Sequence, residues 1–247
     1  MIGFETAVVS SPGGREHNED YCGHRMKELS GCWALADGLG GHLGGAVASR
    51  VAVEAGLDSF ESDSSATEAA LELHAARANR AVLDRQVAEP DLVSMRTTIV
   101  MLVANQEAAI AAHSGDSRLY WFRDGALKAQ TRDHSVPGSL AAAGEITPGQ
   151  IRFHEDRGRL LRSLGAKPDA QVTIGAIDNP PRPRDAFLLA SDGFWEWVDE
   201  AEMQEDLGGS ASAQDWLDRM QARLEARAQP DHDNFSAIAV LINGGSK

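Results

Sequence analysis

Carboxylates recur in this chain at the ends of apolar runs. Trp33-Ala34-Leu35-Ala36 leads into Asp37-Gly38, and Phe187-Leu188-Leu189-Ala190 leads through Ser191 into Asp192-Gly193. Ala112-His113-Ser114 leads into Gly115-Asp116-Ser117, Asp231-His232-Asp233-Asn234 precedes the apolar run that starts at Phe235, and Asn18-Glu19-Asp20 lies near the N-terminus. One Asp-Gly pair alone marks a tight turn, because both residues tolerate positive φ. A recurring set has a further implication. Aspartates at the ends of neighbouring strands converge on one edge of a sheet, where their repulsion is costly unless cations neutralise them. Oxygen ligands without a Cys-His pattern favour hard octahedral ions, Mg²⁺ or Mn²⁺, over zinc. Such a site can hold two ions about 3.5–4 Å apart, share a carboxylate between them and acidify a bridging water. That chemistry suits phosphoryl transfer, which also needs a cation to grip phosphate oxygens. Arg15, in a Gly-rich turn just before Glu19-Asp20, is the candidate.

The elements that must position these residues can be traced from periodicity. Apolar or alternating runs at 4–9, 32–36, 98–103, 108–113, 119–123, 171–177, 186–190 and 236–242 predict strands, with Asp124-Gly125 as a hairpin turn. Helical spacing covers 46–60, 67–87 and 213–227, where Trp216, Met220 and Leu224 recur every four residues. Several strands follow one another without an intervening helix, so antiparallel pairing with helices on the sheet faces is expected, an α+β class.

Composition narrows the setting. The 247 residues are 43% hydrophobic and 24% charged, long enough for a sizeable core, and no linker divides them, so one domain over 1–247 is expected. Thirty-seven acidic against 23 basic side chains give a formal charge of -14, which repels duplexes and anionic membranes. Neither nucleic acid nor membrane is an expected partner. The N-terminus lacks the basic start and apolar stretch of a signal peptide, and no run approaches the roughly 18 apolar residues of a membrane span. Only Cys22 and Cys32 are present, too few for a disulfide framework, and a reducing cytoplasm fits.

Taken in order, the motifs resemble those of the metal-dependent type 2C Ser/Thr protein phosphatases (the PPM family), particularly small, free-standing bacterial members. The resemblance rests on Gly14-Arg15-Glu16-His17-Asn18-Glu19-Asp20, Ala36-Asp37-Gly38-Leu39-Gly40-Gly41-His42, Gly115-Asp116-Ser117-Arg118, Asp133-His134-Ser135, Leu161-Arg162-Ser163-Leu164-Gly165, Ser191-Asp192-Gly193 and Asp233-Asn234-Phe235-Ser236. It implies a four-layer α/β/β/α sandwich with two central, mainly antiparallel sheets flanked by helices. It also implies two central Mn²⁺ or Mg²⁺ ions bridged by Asp37, one also taking the Gly38 carbonyl and the other Asp192 and Asp233. Asp20 and Glu19 would act through metal-bound waters, and Asp116, helped by Asp192, would hold a third, weaker ion. Arg15 matches the phosphate clamp and Asn234 orients a neighbouring ligand. The implied reaction is in-line attack of a hydroxide bridging the two metals on phosphoserine or phosphothreonine. His42 is the first protein candidate for the general acid, with a metal-bound water as the other. The implied partners are phosphorylated proteins, among them a separate bacterial Ser/Thr kinase and its targets, and a monomer is expected.

Two segments depart from the family pattern or lie beside the site. Arg96 stands where relatives carry glycine; it is either an extra anion-binding group or, the expected case, a solvent-facing strand start. Residues 138–157 occupy the place of a flap beside the active site, where substrate choice would reside, and His134 and Ser135 next to it are expected to be structural. Two other functions keep the same motifs: a non-catalytic partner-binding domain, which intact Asp20, Asp37, Asp192 and Asp233 oppose, and a hydrolase of small phosphate esters.

Overall fold

Strands that bury both faces read as continuous apolar runs, and strands with one wet face alternate; both kinds occur here, in two stacked sheets. The computed structural model describes residues 1–40, 44–177 and 180–244. One sheet has the order β1 (Ile2–Ser11), β11 (Phe235–Gly244), β10 (Asp185–Ala190), β7 (Arg118–Arg123) and β8 (Ala126–Gln130). The other has the order β2 (Asp20–Lys27), β3 (Ser30–Leu39), β5 (Ile99–Ala104), β6 (Ala109–Ser114) and β9 (Thr173–Ile177), with the short β4 (Arg96–Thr97) against the end of β3. All of these pairings are antiparallel.

Three apolar layers hold the stack. Trp33, Leu35, Leu102, Trp121, Phe187 and Ile238 fill the space between the sheets. Helices α1 (Gly44–Ser62) and α2 (Glu68–Ala88) cover the outer face of the β3 sheet, meeting it through Val53, Leu57, Leu71, Met101 and Val103. Helices α5 (Glu200–Gly209) and α6 (Ala213–Arg227) cover the β10 sheet, where Trp216, Met220 and Leu224 pack on Phe122 and Leu188. The expected α/β/β/α layering is the observed one.

Local chemistry sets the boundaries. The Thr67 side chain accepts from the Ala70 N–H at 3.2 Å, so the predicted first residue of the second helix caps it instead. Ser212 caps α6 in the same way, at 3.0 Å from the Asp215 nitrogen. Asp124 and Gly125 both take positive φ, 53° and 79°, as a two-residue hairpin turn between β7 and β8 requires. Strand β2, with Cys22, His24, Arg25 and Lys27, was hidden by its polarity, as suits a sheet edge. The segment expected to be a flap, 138–157, contains regular structure: most of α3 (Val136–Ala143), capped by Ser135, and a 3₁₀ turn over Pro148–Phe153. Among the described residues no helix is long and apolar enough to cross a membrane.

Candidate active site

The carboxylates gather where strands from both sheets end on one side. Strand β3 does not turn at Asp37-Gly38, as the Asp-Gly pair suggested; it runs on to Leu39. The Gly38 N–H donates to the Glu19 carbonyl at 3.1 Å, and a Cβ on Gly38 would lie 2.1 Å from the Gly45 carbonyl oxygen. This glycine is needed for the close approach of α1, not for a turn. Around Asp37, Thr98 accepts from the backbone N–H and Thr97 donates to the carbonyl, each at 2.8 Å. Asp20 opens β2 directly opposite Asp37 in the β2–β3 register.

Asp192-Gly193 is also not a turn. Ser191 ends the β10 run and Asp192 is the first residue of the short helix α4 (Asp192–Trp195). Asp116 follows Gly115, whose φ of +103° is a glycine conformation, and the Trp195 indole N–H fixes the Asp116 carbonyl at 3.0 Å. Asp233 precedes β11; its Oδ1 accepts from the Asn234 N–H at 2.8 Å and its Oδ2 from Arg15 at 3.1 Å. The Asn234 side chain fastens the Arg15 loop: its Oδ1 accepts from the Glu19 N–H at 2.8 Å, and its Nδ2 donates to the carbonyls of Pro12 and His17 at 2.9 Å each.

Oxygens of Asp37, Asp116 and Asp192 all lie within 4.8 Å of one another. Burial, and then the charge of Asp192, holds the Asp37 and Asp116 carboxyls well above the ordinary range. Asp192 is raised by burial and by Asp233. Burial pushes Asp20 up to about 7 against the opposing pull of its hydrogen bond from Ser191, at 2.7 Å. The other Asp20 oxygen, Oδ1, is buried without a hydrogen-bond partner. Asp20 and Asp233 stand outside the tight trio but add to its repulsion. An all-oxygen set this crowded, with an orphaned buried acceptor beside it, fits hard divalent cations.

Other predicted residues take other places. Arg96 turns one nitrogen back on its own segment, its Nη1 donating to the carbonyls of Met95 at 2.7 Å and Val93 at 3.2 Å, a local brace at the start of β4. His42 lies outside the described residues. Sequence reasoning missed Ser191 and Trp195 as supports of the cluster, and Glu196, which burial and Asp192 push up to about 7. It also missed the buried Arg118, which grips both oxygens of Asp133 at 2.8 Å and lies 3.5 Å over the Trp195 ring. Arg118 and Asp133 each sat inside a quoted motif, yet 15 positions of chain separate them and neither spacing nor pattern joins them.

The α/β/β/α sandwich thus brings its strand ends together on a buried carboxylate cluster of a kind that could hold divalent cations. The model for the family described as Protein phosphatase 2C matches residues 13–233. The serine/threonine phosphatase stp of Listeria innocua is 31% identical over 235 residues, 93% of this chain and 92% of that one. The crystal structure of the Mycobacterium tuberculosis serine/threonine phosphatase PstP/Ppp superposes with a TM-score of 0.85 at 28% identity, covering 99% of this chain and 100% of that one. The catalytic domain of PstP in complex with two manganese ions gives a TM-score of 0.81 at 27% identity, again covering 99% and 100%. The chain belongs to the protein phosphatase 2C family, and by that membership it is a serine/threonine protein phosphatase.

Proposed function

We propose that this enzyme removes phosphate from phosphoserine and phosphothreonine in proteins by metal-supported hydrolysis, as one phosphatase domain spanning residues 1–247. The observation that carries the proposal is the buried trio Asp37, Asp116 and Asp192, with the orphaned Asp20 oxygen next to it. Asp37, Asp192, Asp233 and the Gly38 carbonyl would hold two central Mn²⁺ or Mg²⁺ ions, and Asp116 with Asp192 a third. When bound, such ions neutralise phosphate oxygens and acidify a water for in-line attack. The residues of the chain do the rest. Asp37 supplies the shared negative charge, kept in place by Thr97 and Thr98. Asp20 and Glu19 would receive hydrogen bonds from water in the site. Arg15, more than half exposed beside Asp233, can offer its remaining donors to a phosphate. No covalent phosphoenzyme is part of this proposal: the attacking group is water.

Protein substrates are favoured over small esters because the matching family and the similar curated proteins are protein phosphatases. A separate Ser/Thr kinase and its targets fit as the source of those substrates, in the cytoplasm, with the enzyme acting as a monomer. Initial rates on a phosphothreonine peptide and on a sugar phosphate, each with manganese and after chelation, test the proposal. Manganese-dependent rates at least about tenfold higher on the peptide are expected. Equal rates would point to small esters, and metal-independent rates would contradict the site assignment.

A further inference from the structure

We propose that the opening between the edges of β8 and β9 is a binding site for a small aromatic anion, a planar ring bearing a carboxylate or phosphate. The two sheets stack, but their β8 and β9 edges are not sealed: a cavity of about 450 Å³ enters there, within the range of small-molecule sites. Small residues create it. Gly175 on β9 pairs with Ala111 on β6, and a Cβ on Gly175 would meet nothing within 4 Å. Leu119, Trp121 and Ile177 supply apolar walls.

The charge at the mouth selects the ligand. Arg132 and Arg162 both line it, and among the described residues neither forms an ion pair, although most arginines of this acidic chain do. Asp133, the acidic residue of the lining, has both oxygens taken by Arg118. Arg162 commits only its Nη1, at 3.4 Å each from His134 Nε2 and Thr173 Oγ1, so two guanidiniums without a described ion pair beside an apolar slot suit an anion with a flat body. His113 and His134, stacked with ring centroids 4.4 Å apart and planes 10° apart, form one side.

That wall connects to the carboxylate cluster. The His134 N–H donates to the Gly115 carbonyl at 2.8 Å, and the Gly115 N–H to His134 Nδ1 at 3.4 Å. Gly115 directly precedes Asp116, so an occupant pressing on His134 moves the turn that carries this ligand. The link to turnover rests on the function proposed above; binding itself does not.

The test is calorimetric titration of the full chain with naphthoate, with uncharged naphthol as control. Saturable binding below about 1 mM is expected, at least about tenfold weaker for naphthol. Gly175→Leu and, on the exposed opposite edge, Ala129→Leu should each weaken naphthoate about tenfold or more, and so should Arg132→Gln with Arg162→Gln. Bound naphthoate should change p-nitrophenyl phosphate turnover at least about twofold in the wild type and not in Gly175→Leu. No saturable heat, or unchanged affinity in both cavity-filling variants, would overturn the site. So would the arginine changes raising KM for acidic phosphopeptides when naphthoate does not bind, which would make this a substrate-docking surface. Binding without any change in turnover would overturn the link to Asp116 alone.

Discussion

Arg15 reaches Asp233 at 3.1 Å with both side chains more than half exposed. Exposed pairs of this kind contribute only about 0–1 kcal/mol, so a phosphate can readily share or replace the partner. Arg15→Ala is therefore expected to raise KM for a phosphopeptide about tenfold or more while manganese affinity changes less than about threefold, measured by steady-state kinetics beside calorimetry. Arg15→Lys should rescue only part, because an ammonium lacks the two-pronged donor set. A large loss of metal affinity would make the arginine a structural prop.

A second expectation at this scale concerns the stacked histidines. Burial, the neighbouring His113 and Arg162 push the His134 ring down to about 3, and burial also lowers His113 despite the opposing charge of Asp133. A depressed folded pKa means the unfolded chain takes up the proton first, so this stability is present above about 6.5 and is lost as pH falls from there toward 3. Urea midpoints in chelator at pH 7.5 and 5.0, for wild type and His134→Gln, check the sign. The acid-side drop should be smaller in the variant; an equal or larger drop would contradict a half-buried neutral ring.

Among the elements, the segment 138–157 and α4 are joined by charge rather than by apolar packing alone. Arg118 holds Asp133 just ahead of α3 and stacks on Trp195, which in turn fixes the Asp116 carbonyl. From within that segment, Arg152 is buried, donates to Glu200 at 2.7 Å and lies 5.5 Å from the Trp195 ring. Removing one partner of a buried pair leaves the other uncompensated, so Arg118→Ala should cost about 3–5 kcal/mol in urea unfolding. Arg118→Met combined with Asp133→Leu should recover most of that loss. A cost near zero for Arg118→Ala would show that Asp133 finds water or another partner.

These elements differ in how far the sequence disclosed them. The central strands were legible because both of their faces are buried, and α6 because Trp216, Met220 and Leu224 keep one face. Strand β2 and helix α5 were not: β2 is a polar edge, and α5 has few buried side chains beyond Met203 and Asp206. The Asp-Gly pairs pointed to the right residues for a partly wrong local reason. Asp37 lies within a continuing strand and Asp192 starts a helix; each glycine permits close backbone approach where a turn was expected.

Over the whole molecule, the two sheets bring Asp20 and Asp37 from one layer to Asp192 and Asp233 from the other, across as much as 213 positions of chain. Periodicity alone could suggest that the strand ends converge, and the motif resemblance already joined Asp116 to Asp37 and Asp192; the serine, the two threonines and the tryptophan that hold them required the fold. Buried carboxylates this close repel one another, so manganese should raise the thermal midpoint and chelation should lower it. In the proposed mechanism Asp37 holds the charge on which the site depends. The most direct test of that role is phosphopeptide turnover by Asp37→Asn across a manganese series, because asparagine keeps the shape and removes the charge. Turnover about a thousandfold or more below wild type, unrestored at the highest manganese, is the predicted result. Near-native turnover at high manganese would contradict it.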